Sequence, residues 1–196
     1  MVHGLISFIF PSSCPGCGLL FSPDLEVIFC PDCEKALDLI RLPYCPSCGI
    51  PNSPEAPSPY LCGDCLFGIY YFDSARASGR YRGLLREVIH RFKYQGQTFL
   101  ARPLAQMLTA PGKELASLHK AEVIIPVPLH HLRLRHRGFN QAALLANRLG
   151  SNLRISVDYS SLIRSRWTEP QAGLSHKQRA ANVKGAFNLI APEEIR

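Results

Sequence analysis

The eight cysteines of this 196-residue chain are the residues whose type and spacing say most about chemistry. They form C-x-x-C pairs, Cys14/Cys17, Cys30/Cys33, Cys45/Cys48 and Cys62/Cys65, and none lies beyond residue 65. A two-residue gap fits a tight turn that aims both sulfurs at one tetrahedral ion. CPGCG and CPSCG add a proline and a trailing glycine, which suit a knuckle turn. Each knuckle is followed about a dozen residues later by a second pair, CPDC or CGDC, so the arrangement repeats. The pattern predicts two structural zinc ions, each held by four thiolates with no coordination position left for catalysis. Two pairings use the same ligands. In tandem ribbons Cys14, Cys17, Cys30 and Cys33 hold one ion, and Cys45, Cys48, Cys62 and Cys65 the other. In an interleaved cross-brace the first and third pairs share an ion. The tandem arrangement is the simpler reading; spacing by itself does not exclude the cross-brace.

Disulfides would require an oxidising compartment. The N-terminal apolar patch, Leu5 to Phe10, is short, has no Lys or Arg before it and is stopped by Pro11, unlike a secretory signal. It reads as a short helix or strand that packs on the domain after it. No run is long enough to span a bilayer, and a cytoplasmic protein is expected. Hydrophobic residues make up 46% and charged ones 19%, which excludes a disordered chain. The net charge of +7 is unevenly spread. Only Lys35 and Arg41 of the 22 Lys/Arg precede residue 68, against seven of the 15 Asp/Glu. A negative segment, 1–67, therefore precedes a strongly basic one, 68–196, which suits a phosphorylated or polyanionic partner. These are the two expected domains.

The elements that must position any site follow from periodicity. Pro51 to Pro59 is a proline-rich loop inside the second ribbon. IYYFDSARASGRY is a candidate strand. Leu84, Leu85, Val88, Ile89 and Phe92 lie at helical spacing, with Gly96 beyond the end. A second helix runs around Leu104 to Leu108, with Pro103 in its first turn. The strand EVIIPVP leads into a basic loop, then a helix from near Gly138 through AALLANRL, closed by Gly150. Leu153 to Leu162 is a candidate strand and Trp167 to Gly173 a polar loop. Ser175 and Gln178 offer a capping box, and AFNLI is the last strand. Strands alternating with helices after residue 70 predict an α/β domain with a mostly parallel sheet.

In such a sheet, ligands bind beyond the carboxyl ends of strands, where the next helix begins. The stretch LHHLRLRHRGFNQ, residues 129–141, occupies that place. Arginines beside a helix N-terminus make an anion site, and a glycine admits close approach. On chemistry alone, a solvated basic loop is an equal reading. His130, His131 and His136 have no carboxylate or cysteine close by in sequence, so they read as surface or phosphate-facing residues rather than metal ligands.

Four C-x-x-C pairs, KYQG (93–96), IPVP with RLRHRGFNQ, and TEPQAGLSHKQRAANVKGAF together resemble the ComF/GntX family over essentially the whole chain. The resemblance implies a double zinc ribbon (1–67) joined to a type I phosphoribosyltransferase-like domain (68–196). It also implies a role in DNA uptake by competent cells or in the use of DNA as a nutrient. By that likeness Leu129 to Asn140 is the pyrophosphate loop, with Arg133, Arg135, Arg137, Gly138 and Asn140 facing the diphosphate of phosphoribosyl pyrophosphate. Mg²⁺ would accompany that ligand. Trp167 to Asn182 corresponds to the loop that covers the reaction. Lys93, Gln171, Arg179 and Asn182 are further substrate or loop contacts.

Type I enzymes hold the ribose 5-phosphate through a later motif of two acids and a Thr/Gly turn. The residues here end in APEEIR, whose Glu193 and Glu194 lack both a preceding apolar strand and a following turn. The expectation is therefore an incomplete phosphoribosyltransferase-like sheet, lacking its C-terminal part and inactive as written. A second reading is a non-catalytic accessory protein of DNA uptake, in which the basic domain grips single-stranded DNA and the ribbons dock partner proteins. Phe92, Tyr94, Phe139 and Trp167 could then stack on bases, although each also reads as a packing residue.

Overall fold

The computed structural model describes residues 12–21, 28–68 and 70–190. The apolar patch Leu5–Phe10 and the acid pair Glu193/Glu194 lie outside them. The chain divides into two compact units, Met1–Lys120 and Ala121–Arg196.

The first unit begins with two ribbons. Strands β1 (Ser12–Ser13) and β2 (Leu20–Phe21) pair antiparallel, Ser12 with Phe21 and Ser13 with Leu20, around the first knuckle. Helix α1 (Pro31–Lys35) follows, with Pro31 at its start where a missing N–H costs nothing. In the second ribbon an isolated bridge joins Tyr44 to Pro51, and α2 (Gly63–Leu66) takes the place of α1. Helices α3 (Gly83–Tyr94) and α4 (Ala101–His119) complete the unit, linked by a 3₁₀ turn at Thr98–Leu100. Leu85, Val88 and Phe92 recur at helical spacing on α3, and Leu100, Ala101, Leu104 and Ala105 are buried at the start of α4. Gly96 has a φ of +67° beyond the end of α3, where the sequence places a stop.

Helix α4 runs through Pro111, which cannot donate to the carbonyl of Met107. That carbonyl instead accepts the hydroxyl of Ser78 at 2.7 Å, so the proline leaves no orphan acceptor.

The stretch IYYFDSARASGRY, described from Tyr70 onward, is not a strand over Tyr70–Tyr81. Its backbone binds the ribbons instead of a sheet: Ala75 N–H donates to Ser47 O at 2.7 Å and Arg80 N–H to Asp38 O at 2.8 Å, and Gly79 makes a lone bridge with Leu39. Tyr70 and Phe72 stack on each other at 4.9 Å. Composition changes at residue 67, and these bonds join residues 75–80 to the ribbons within the compact unit Met1–Lys120.

In the second unit β3 (Val123–Ile124) pairs parallel with β4 (Ser156–Val157), Val123 with Ser156 and Ile124 with Val157. The crossover is α5 (His131–Arg137) and α6 (Gln141–Leu153). Strand β5 (Leu162–Arg164) pairs antiparallel with β6 (Phe187–Leu189), and the connection between them contains α7 (His176–Val183). The fold is mixed α/β with a small parallel sheet. Only two residues of EVIIPVP pair, because Pro126 and Pro128 have no N–H to offer a ladder. AFNLI contributes β6, which runs antiparallel to its neighbour.

Three local expectations change. The basic loop is itself a helix, α5, closed by Gly138 at φ +81°. The following helix therefore starts at Gln141 rather than near Gly138. Gly150 does not close α6; the left-handed closing residue is Arg154, at φ 59°. Gly150 lies buried within the helix because a Cβ there would meet Val157 Cγ2 at 2.5 Å and Ile155 O at 2.8 Å. The glycine sets how closely α6 approaches β4. Leu153 to Leu162 is interrupted, and its strands are Ser156–Val157 and Leu162–Arg164.

Candidate metal centres and basic site

The thiol sulfurs of Cys14, Cys17, Cys30 and Cys33 lie within 4.8 Å of one another, as do those of Cys45, Cys48, Cys62 and Cys65. The pairing is tandem, not cross-braced. Tetrahedral zinc with Zn–S bonds near 2.3 Å needs sulfurs roughly 3.8 Å apart. The Cys17–Cys30 and Cys48–Cys62 separations are 3.6 and 3.5 Å. The donor set and spacing fit zinc.

The two centres are built alike. Cys14 N–H bonds Leu19 O and Gly18 N–H bonds Cys14 O; Cys45 and Ile50, then Gly49 and Cys45, repeat both bonds. Gly18 and Gly49, at φ +79° and +73°, make these turns possible. Cys30 and Cys62 then stand at the N-caps of α1 and α2, and their amides donate to Cys14 Sγ at 3.3 Å and Cys45 Sγ at 3.4 Å. They differ at the residue before the second cysteine of each knuckle. A Cβ at Gly16 would meet Cys33 Sγ at 2.6 Å, whereas the second knuckle carries Ser47 at the equivalent position.

Electrostatics explains why each cluster needs a cation. Burial tends to raise the pKa of Cys14, but amide donors from Cys30, Cys17 and Gly16 outweigh it and draw the thiol down to about 6. Burial likewise opposes ionisation of Cys45, whose amide donors from Cys62, Cys48 and Ser47 draw it down to about 6. Burial and neighbouring sulfurs push Cys48 up to about 12 and Cys33 upward as well. Crowded thiols cannot all ionise without a dication, which stabilises all four thiolates together. These are closed, structural zinc sites.

In the second unit, His130 caps α5 by accepting the Leu132 amide on Nδ1 at 3.4 Å and is buried. Its ring meets the edge of Trp167 at 5.5 Å. Arg133 lies over the Trp167 ring and donates to Thr168 O at 2.8 Å. Arg164 donates to the buried Thr168 hydroxyl. Arg137 donates to Gln141 Oε1 at 2.9 Å. The carboxamide of Asn140 caps α6 through the Ala142 amide at 3.0 Å and donates to Val127 O at 3.1 Å. Arg135 and Gly138 are exposed, and a Cβ at Gly138 would meet nothing within 4 Å.

Of the remaining sequence-derived residues, Asn182 donates to Glu169 O at 2.9 Å and Arg179 is exposed on α7. Gln171 has a buried Nε2 with no acceptor among the described residues. Lys93 belongs to the first unit, 6.0 Å from the Tyr81 ring centre. The structure thus brings Arg133 together with the segment after β5 and joins Arg137 to α6. Sequence reasoning passed over Arg164 and Thr168, because a lone arginine and threonine carry no motif.

Residues 5–66 match the double zinc ribbon domain family. Competence protein F of Haemophilus influenzae is 37% identical over 163 residues, covering 82% of this chain and 69% of that protein. DNA utilization protein YhgH of Escherichia coli K12 is 30% identical over 170 residues, covering 85% and 73%. Competence protein ComFC of Bacillus subtilis is 32% identical over 139 residues, covering 65% and 52%. No solved structure matches the chain. With two four-cysteine centres in the region of the ribbon match and this identity along most of its length, the chain belongs to the ComF family and carries that family's N-terminal double zinc ribbon.

Proposed function

We propose that this protein serves DNA uptake or DNA utilisation in the cytoplasm, and that its basic second unit binds a phosphate ligand of the phosphoribosyl pyrophosphate class around Leu129–Asn140. The observation that carries the reading is the position of α5. It follows the parallel strand β3 and ends at an exposed Gly138 just before the N-terminus of α6, with Arg135 and His136 exposed beside it. Strand, cationic turn and helix start are what an anion site requires. The names of the relatives supply the cellular context.

A second reading is non-catalytic binding of a DNA backbone, with the ribbons docking partner proteins. It is favoured by the bonds that Arg133 and Arg137 already make to Thr168 and Gln141, while Arg135 and Arg179 stand exposed as a surface field.

Calorimetric titration with phosphoribosyl pyrophosphate, with and without Mg²⁺, tests the first reading. Saturable binding that Arg135→Ala weakens at least about tenfold is expected, since a charge-assisted bond contributes about 1.5–3 kcal/mol. Absence of binding sinks it. Binding of a fluorescent single-stranded oligonucleotide that weakens by orders of magnitude between about 50 and 200 mM salt supports the second.

A further inference from the structure

Two arginines outside the ribbons grip the two knuckles in the same way. Arg91, on α3, donates through Nη2 to the carbonyl of Pro15 and, at 3.5 Å, to that of Gly16. Arg76 donates through Nη1 to Pro46 O at 2.9 Å and Ser47 O at 3.4 Å. In the internal repeat Pro15 corresponds to Pro46 and Gly16 to Ser47. The two arginines come from unrelated positions, so the match lies in the three-dimensional arrangement alone.

The peptide units involved also touch the sulfurs. The Pro15–Gly16 peptide accepts Arg91 at its carbonyl, while its N–H, from Gly16, donates to Cys14 Sγ at 3.4 Å. The Pro46–Ser47 peptide accepts Arg76, and the Ser47 N–H donates to Cys45. A guanidinium on the oxygen of an amide polarises its N–H, so a chain of such bonds strengthens the last one. A zinc ion with four thiolates carries a net charge of about −2, which makes cationic support favourable. Among the described residues Arg91 makes no carboxylate ion pair, and the anionic centre is its natural counter-charge. Arg76 shares its charge with Glu114 of α4, at 2.7 Å, and its side chain is 6% exposed.

We infer that Arg91 and Arg76 are positioning residues of the two zinc centres, each polarising one knuckle peptide toward the first cysteine of its site and tying that site to the helical part of the same unit. Through Arg91 the first centre is linked to α3; through Arg76 and Glu114 the second is linked to α4. Zinc occupancy and the packing of residues 68–120 are then coupled, one arginine to each ion.

The test uses the full zinc-loaded chain and the variants Arg91→Met and Arg76→Met, which keep most of the aliphatic bulk and remove the donors. Zinc transfer to a chromophoric chelator is followed with time, and newly freed cysteines are alkylated and mapped by mass spectrometry. Arg91→Met should accelerate loss of one zinc about tenfold or more, with labelling confined to Cys14, Cys17, Cys30 and Cys33. Arg76→Met should do the same at Cys45, Cys48, Cys62 and Cys65. The Lys variants should fall between, since an ammonium reproduces the charge but not the fork. If a Met variant does not fold, its Lys counterpart is read in its place. Accelerated loss confined to the matching site supports the inference. Wild-type release of both ions, or equal acceleration at both sites in each variant, overturns it.

Discussion

The Arg133 guanidinium lies 4.8 Å from the centre of the Trp167 ring, on the same segment whose Thr168 carbonyl it binds. The contact fastens the chain after β5 to α5. Trp167 is the sole tryptophan, so its emission reports this one place. Arg133→Met should shift the emission to the red, increase acrylamide quenching and cost about 1–3 kcal/mol in urea unfolding. Unchanged emission and quenching would remove the contact from solution.

Gly150 and Val157 leave no room for a side chain between α6 and β4. Gly150→Ala should improve helix propensity yet destabilise the second unit by about 1–3 kcal/mol, because overpacking against the Val157 side chain and the Ile155 carbonyl exceeds the propensity gain. Urea unfolding followed at Trp167 measures the balance. A net stabilisation would mean the helix and strand separate easily.

The cap of α7 is a reciprocal pair. Ser175 Oγ accepts the Gln178 amide at 3.4 Å, and Gln178 Oε1 accepts the Ser175 amide at 2.8 Å. Ser175→Ala should cost about 0.5–2 kcal/mol, and Ser175→Asp should restore most of it. Amide exchange across His176–Val183 is the local readout.

Gly16 faces the first zinc centre and Ser47 the second, although the two knuckles otherwise repeat. Gly16→Ser should labilise zinc at the first site, because its Cβ collides with Cys33, and Ser47→Gly should labilise the second site more mildly, because it removes the hydroxyl's hydrogen bond to Cys65. Competition with a chelator, read site by site through cysteine alkylation, separates the two.

Acid should release the zinc, and the sign follows from the thiols. In the metal-free fold, the stabilising contribution of Cys14 and Cys45 is complete above the usual thiol range. It is lost as pH falls through about 6. Cys48, pushed up to about 12, acts oppositely: it favours the metal-free fold below the usual thiol range and loses that effect as pH rises. Zinc displaces protons from all four sulfurs, so its apparent affinity falls as pH falls. Chelator titrations on acidification from neutral pH through about 6 should show two zinc equivalents leaving with loss of helical circular dichroism. Zinc retained unchanged across that range would contradict the thiolate assignment.

The ligands of the zinc centres, the capping box at Ser175, the spacing of α3 and the stop at Gly96 were all legible in the sequence. Each is a local device whose partners lie within a few residues or within a repeated motif, so residue type and spacing are enough. Tandem pairing was the simpler reading of the sequence but was not decided there, since the same eight cysteines satisfy a cross-brace and only the path of the chain brings each set of four sulfurs together. The role of Gly150 was hidden for a similar reason. A glycine near a helix end reads as a stop until Val157, brought in by the parallel pairing with Ile124, is seen against it. The basic stretch 131–137 shows the division most plainly. Its charge is written in the sequence. Its helical form rests on the local cap at His130 and the closing turn at Gly138, whereas the commitment of Arg133 to Trp167 and Thr168 depends on a segment more than thirty residues away that only the tertiary fold returns to α5.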